Sequence, residues 1–232
     1  MSFLNDSVAA RNGEQFGVYV AKPISPNGHA IVLLQEIFGV TQVIRKVADD
    51  YAADGYLVYA PDLFWRFEPG MELSHSKEDI KRAMSLLEKY DLSDGVSDVA
   101  ATVEHIRALP DFNGKVAVAG LCMGGHLAYL SSVQSRVDAA VSYYGIGIDK
   151  SIESAGVPKC PVILHYGKKD AFLTPEALQT IQERLGTLPS VAVYVYEDAD
   201  HGFYTRGSKQ DVRIAHERTE AFLRQALGGV PA

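Results

Sequence analysis

"VAVAGLCMGGHLAYL", residues 116–130, decides the fold. An apolar strand runs into Gly120-Leu121-Cys122-Met123-Gly124-Gly125, and an apolar helix leaves it. This is the G-x-S-x-G layout of a nucleophile elbow, with cysteine where serine is usual. Gly120 and Gly124 flank the nucleophile position because a sharp strand-to-helix turn crowds out Cβ atoms. The helix that opens near Met123 aims its N–H groups and positive dipole end at the sulfur. That arrangement stabilises a thiolate and then an oxyanion. A second reading stands beside it on these residues alone, a small buried thiol in a Gly-rich turn.

Outward from the elbow, strand-like and helix-like patterns alternate. "HAIVLLQE" (29–36) is a continuous apolar run, suited to a central strand buried on both faces. "TQVIRKVADDYAADG" (41–55) follows with Val43, Ile44, Val47 and Tyr51 at helical spacing and Gly55 as its stop. "FGVYVAKP" and "YLVYAPDLFW" supply two strands, the second stopped by Pro61. "GKVAVAG", "VDAAVSYYG", "CPVILHYG" and "SVAVYVYE" supply four more. Helices are predicted over 77–91, 93–108 (capped by Ser93 or Asp94), 124–134, 175–186 and 211–227. Repeated β–α alternation implies an α/β fold with a mostly parallel sheet flanked by helices. In such sheets function collects beyond the carboxyl ends of the strands.

Composition excludes several classes. The 232 residues are 47% hydrophobic and 22% charged, as in ordinary globular proteins. No apolar run approaches the ~18–20 residues of a membrane span. "MSFLNDSVAARNGEQFG" has neither a basic n-region nor an apolar h-region, so no signal peptide is expected. With only Cys122 and Cys160 present, a reducing cytoplasm fits better than a disulfide framework. Net charge is −7 with no Lys/Arg block, which argues against a nucleic-acid partner and leaves an anionic small molecule open. His75 and His126 lack a ligand-like spacing, so neither a metal nor another cofactor is expected.

Two strand-end loops complete the elbow. "YGKKDAFLTP" carries Asp170 after one strand, and "EDADHGFYTR" carries His201 after the next. Singly they read as a turn residue and a surface histidine. The chain order nucleophile, acid, histidine, each after its own strand, is that of the α/β-hydrolases. Histidine then takes the thiol proton, and the aspartate fixes its tautomer. Glu36 ends the central strand; a carboxylate near the sulfur would disfavour a second negative charge there. The Ile37 N–H pairs naturally with the Met123 N–H as an oxyanion hole. Tyr144, with Phe38, is a candidate pocket wall, while Phe64 and Trp65 stand between core and pocket rim.

With these residues assembled, the chain resembles the dienelactone hydrolase family (carboxymethylenebutenolidases) over roughly residues 15–227. The shared motifs are "QEIFG" (35–39), "YAPDLF" (59–64), "GKVAVAGLCMGG" (114–125), "AVSYYG" (140–145), "GKKDAFLTP" (167–175) and "ADHGF" (199–203). The resemblance implies a single α/β-hydrolase domain over residues 1–232 and a Cys122–His201–Asp170 triad. It also implies that Glu36 deprotonates the thiol once an anionic dienelactone rearranges an arginine–glutamate pairing. The family's substrate carboxylate is held by two arginines. Arg206 is the candidate for one, a residue further from His201 than the pattern has it. For the other, Arg82 and Lys81 are near, but Ile80 stands at the arginine position, and Met84 and Leu87 stand where aromatics are expected.

The expected reaction is cofactor-free hydrolysis of a small ester or lactone through a Cys122 thioester, with dienelactone-type enol lactones foremost. An enol leaving group departs well, which offsets the ease with which a thiolate is itself expelled. A promiscuous esterase or thioesterase with the same triad is the second reading. A non-catalytic binding or thiol-sensing protein on the same scaffold is the third. The oligomeric state is left between monomer and small homo-oligomer.

Overall fold

The computed structural model describes residues 3–228. The chain divides at Val116/Ala117 into two compact units. The first contains β1 (Asp6–Ala9), β2 (Gln15–Ala21), β3 (Ala30–Leu34), α1 (Gln42–Ala53), β4 (Leu57–Pro61), α2 (Lys77–Leu87) and α3 (Leu92–Arg107). Its strands lie in the order β1-β2-β4-β3. β1 and β2 pair antiparallel, as do β2 and β4, while β3 and β4 run parallel with Ile31 opposite Val58.

The apolar run read as a central strand is β3, whose five side chains are all fully buried. α1 starts where the Thr41 hydroxyl accepts the Ile44 N–H, and it buries Ile44, Val47, Ala48, Tyr51 and Ala52. It packs on β2 and β4. Burial of the larger of these side chains is worth about 1.5–3 kcal/mol apiece. Val43, placed in the same stripe by the sequence, is instead 42% exposed, because the buried arc centres on Ile44 and Tyr51.

The cap of α3 is Asp91, which accepts the Ser93 N–H at 2.8 Å, and not Ser93 or Asp94. α2 ends at Leu87, shorter than expected, and buries only Ala83. Phe64 and Trp65 resolve as core. Phe64 is fully buried, and Trp65 stacks on Phe16 while its Nε1–H donates to Asp98 at 2.9 Å. Arg66 grips the same carboxylate with both terminal nitrogens.

The second unit takes over β5 (Val116–Leu121) and adds α4 (Met123–Gln134), β6 (Ala139–Tyr143), α5 (Ile148–Ala155) and β7 (Val162–Gly167). It continues with α6 (Pro175–Arg184), β8 (Val191–Tyr196), α7 (Phe203–Arg206) and α8 (Lys209–Leu227). Its strands lie in the order β5-β6-β7-β8, all parallel, with Val141 opposite both Ala119 and Ile163. α4 packs on β6, and α8 packs on β6 and β7. The described strands thus number eight, parallel throughout the second unit and between β3 and β4 in the first, with helices against them, as the β–α alternation implied. No helix among the described residues is long and apolar enough to cross a membrane.

Candidate active site

Beyond β5 the backbone turns sharply at Cys122, with φ 55° and ψ −114°. Cys122 and Tyr144 are the only non-glycine residues at positive φ among those described. Such a conformation costs on the order of 1–3 kcal/mol and persists only where its surroundings over-determine it. Here they do. The Cys122 N–H donates to Tyr143 O at 3.0 Å, and the Cys122 carbonyl accepts the His126 N–H at 3.2 Å. A Cβ on Gly120 would lie 1.9 Å from Gly124 O, and one on Gly125 would lie 2.8 Å from Tyr143 O. Gly120 and Gly125 are therefore demanded by backbone approach. Met123 opens α4, whose first-turn N–H groups have no carbonyl a turn earlier to donate to. The half-buried Cys122 thus sits at a helix N-terminus.

Asp170 and His201 are brought together by their loops. Lys168 N–H donates to Tyr196 O at 2.8 Å and Lys169 N–H to Ala199 O at 3.0 Å, pinning the segment after β7 to the segment after β8. A Cβ on Gly167 would lie 2.3 Å from Ala199 O, so this seam also requires glycine. The result is an Asp170 Oδ2 to His201 Nδ1 distance of 2.8 Å. The Asp170 carboxylate is shielded from solvent, and the His201 side chain is 15% exposed. A carboxylate only accepts, so Nδ1 carries the hydrogen and Nε2 is the basic nitrogen.

Two aromatic rings bracket that imidazole. Tyr144, at φ 42° and fully buried, meets it edge-on at 4.9 Å, and Phe172 does so at 4.9 Å as well. The Tyr144 main chain is held by its N–H donating to His165 O at 2.8 Å. Tyr144 therefore touches the histidine as buried packing. Phe172 escaped the sequence reading, although the signal existed: the N–H two residues after an aspartate in a strand-end loop is placed for an Asx-turn. It donates to Asp170 Oδ1 at 2.8 Å, so both carboxylate oxygens are engaged.

Beneath the site, His165 is fully buried on β7. Its Nδ1 meets Tyr196 Oη at 2.9 Å and its Nε2 meets Thr219 Oγ1 at 3.0 Å. Burial, and secondarily the Arg218 charge, push it down to about 3, so it is neutral. His126, on α4, contacts Ser151 Oγ at 2.7 Å and is pushed down to about 4 by burial.

The remaining candidates fall as follows. Arg206 ends α7 and lines, with His201, Glu197, Asp200 and Asp211, a cavity of about 670 Å³. Its guanidinium lies where a Cβ on Gly202 would be, 1.9 Å from Nη2, so glycine at 202 makes room for it. In the first unit, Glu36 and Ile37 follow β3 and are buried, and Phe38, 8% exposed, packs on His75 at 4.3 Å. Arg82 is tied to Glu68, with Nη2 to Oε1 at 2.6 Å.

Comparison with known proteins matches residues 16–227 to the dienelactone hydrolase family. A carboxymethylenebutenolidase from Pseudomonas sp. (strain P51) is 36% identical over 224 residues, covering 94% of each chain. A solved structure from Klebsiella pneumoniae, assigned as a dienelactone hydrolase, superposes with a TM-score of 0.80 at 25% identity. That superposition covers 94% of this chain and 96% of the other. The Pyrococcus furiosus esterase Pf2001 shares the fold at a TM-score of 0.69 and 16% identity, over 96% and 92% of the two chains. The elbow, the strand-end loops and these relatives agree: the chain belongs to the dienelactone hydrolase family, with an α/β-hydrolase fold, and is a hydrolase of esters or lactones.

Proposed function

We propose that this hydrolase is cysteine-dependent, with Cys122 as nucleophile, His201 as base and Asp170 orienting it, and that activated enol lactones of the dienelactone type are its substrates. The observation that carries the reading is the 2.8 Å Asp170–His201 pair, in the same unit as a cysteine at a positive-φ elbow. Sγ of Cys122 attacks the carbonyl carbon as its proton passes to His201 Nε2, and the oxyanion that forms accepts from the Met123 N–H at the start of α4. Collapse breaks the bond to the leaving oxygen, which takes a proton from the His201 imidazolium, and a thioester remains on Cys122. His201 Nε2 then removes a proton from water as it attacks the thioester, and the thiolate leaves. The family resemblance implies Glu36 as an alternative acceptor of the thiol proton and Ile37 as a second oxyanion donor. Neither cysteine is in a disulfide, which supports a reducing, cytoplasmic setting.

Mass spectrometry of enzyme quenched during turnover of p-nitrophenyl acetate tests this directly. The expected result is an acetyl group on the peptide bearing Cys122, absent in Cys122→Ala. Undiminished turnover by Cys122→Ala would sink the proposal.

A second reading, an esterase for neutral substrates, is favoured by α2. Ile80 there is 40% exposed where the family resemblance expects a cation, and Arg82 is held by Glu68. Comparing dienelactone with its methyl ester separates the two. Preference for the free carboxylate supports an anionic substrate, with Arg206 as its partner; preference for the ester supports the second reading.

A further inference from the structure

Large apolar side chains gain by leaving water, and only two phenylalanines among the described residues are largely exposed, Phe67 at 42% and Phe172. Phe16, Phe64 and Phe203 are at most 2% exposed, yet Phe172 is 66% exposed. Its position has a local cause, because its N–H is held by Asp170 Oδ1 at 2.8 Å. Its exposure has none in the fold. The ring meets His201 at 4.9 Å and an interplanar angle of 68°. The imidazole is already braced by Tyr144, which makes the same edge contact from a fully buried position. A second brace would not need to leave two-thirds of a phenyl ring in water.

We propose that Phe172 is a specificity-determining residue, an apolar wall beside His201 on which an aromatic leaving group packs. This rests on the proposed function and deepens it. When His201 hands its proton to the leaving oxygen, the leaving group must lie against the imidazole, and Phe172 is the exposed apolar surface adjoining that ring. An aromatic or alkyl group covering it gains apolar burial and an edge or offset ring contact. The cavity that His201 also borders is lined mainly by polar and charged residues, among them Glu197, Asp200, Arg206 and Asp211. Discrimination between apolar and small polar leaving groups therefore falls to Phe172.

The test uses two acetyl esters with activated leaving groups, 2-naphthyl acetate and vinyl acetate, on the full chain. Phe172→Ala is expected to raise KM for the naphthyl ester about tenfold, while KM for the vinyl ester and kcat for both change by less than about threefold. Phe172→Tyr should restore the naphthyl KM. Equal losses in kcat for both esters, with KM unmoved, would overturn the inference and leave Phe172 as a positioning residue for His201. Wild-type turnover that does not depend on Cys122 would instead remove the proposed function itself.

Discussion

Cys122 follows β5 at φ 55°, half-buried at the start of α4. Cys160 lies just before β7, 9% exposed, and burial with the Asp138 carboxylate pushes its thiol up to about 12. The two regions hold the same side chain in opposite surroundings. One backbone is strained and held by glycine-permitted contacts; the other is an unstrained strand entrance. In the proposed mechanism the nucleophilicity of Cys122 is therefore a property of the turn and the helix terminus rather than of the thiol. Strain at the first place and inertness at the second are the features to break.

The largest expected effect separates them outright. Cys122→Ala should lower kcat on p-nitrophenyl acetate by about 10⁴-fold or more, as loss of a nucleophile does elsewhere, while Cys160→Ala stays near wild type. Comparable losses from both would erase the distinction. Next comes Asp170→Asn, which leaves the His201 contact in place but offers the wrong tautomer. About a 10³-fold loss in kcat, with an unchanged melting temperature, is the expected pair of readings.

Stability probes the backbone of each region. Gly120→Ala places a Cβ 1.9 Å from Gly124 O, so the β5–α4 turn must shift, with an expected cost above about 3 kcal/mol by denaturant unfolding. Gly156→Ala, near Cys160, meets only Val133 Cγ1 at 3.8 Å and suffers from its φ of 97° alone. It should cost about 1 kcal/mol. Similar costs at the two sites would show that the elbow is looser than its geometry implies.

The pH dependence of stability compares the two regions once more. His126, on the helix after Cys122, and His165, on the strand after Cys160, are held neutral, near 4 and 3 respectively, chiefly by burial. The unfolded chain protonates its histidines near 6.5, so it binds more protons than the native state. Their stabilising contribution is complete above about 6.5 and is lost as the pH falls toward 4 and then 3. Thermal melts from about pH 7 to pH 4 should show this decline, at up to about 1.4 kcal/mol per pH unit per histidine. His165→Gln should flatten it. An unchanged slope in that variant would mean that other groups carry the acid sensitivity.

Much of this was legible because its causes are local. β3 and β5 are uninterrupted apolar runs, which only a strand covered on both faces accommodates. β1 was not legible: Asp6-Ser7-Val8-Ala9 is short and half polar, and it becomes a strand only by pairing with β2. α5 was hidden likewise, since just Ile148 and Ile152 of its eight residues are buried. The start of α8 moved to Lys209 because Ser208, not a later residue, accepts the Asp211 N–H. Asp91 capped α3 for the same kind of reason, a choice among neighbouring polar residues that differ little in propensity.

At the site, residue types and order were determined by the sequence itself. Gly120 and Gly124 around Cys122 announce a turn too tight for side chains, and parallel β–α wiring delivers Asp170 and His201 beyond successive strands. Which atoms meet was decided only in three dimensions. The 2.8 Å Asp170–His201 bond depends on main-chain hydrogen bonds between the loops after β7 and β8. The Tyr144 and Phe172 rings around His201, and the diversion of Arg82 to Glu68, depend on contacts between residues well separated in the chain. No local propensity encodes those distances, because each is set by the packing of segments that meet only when the sheet has formed.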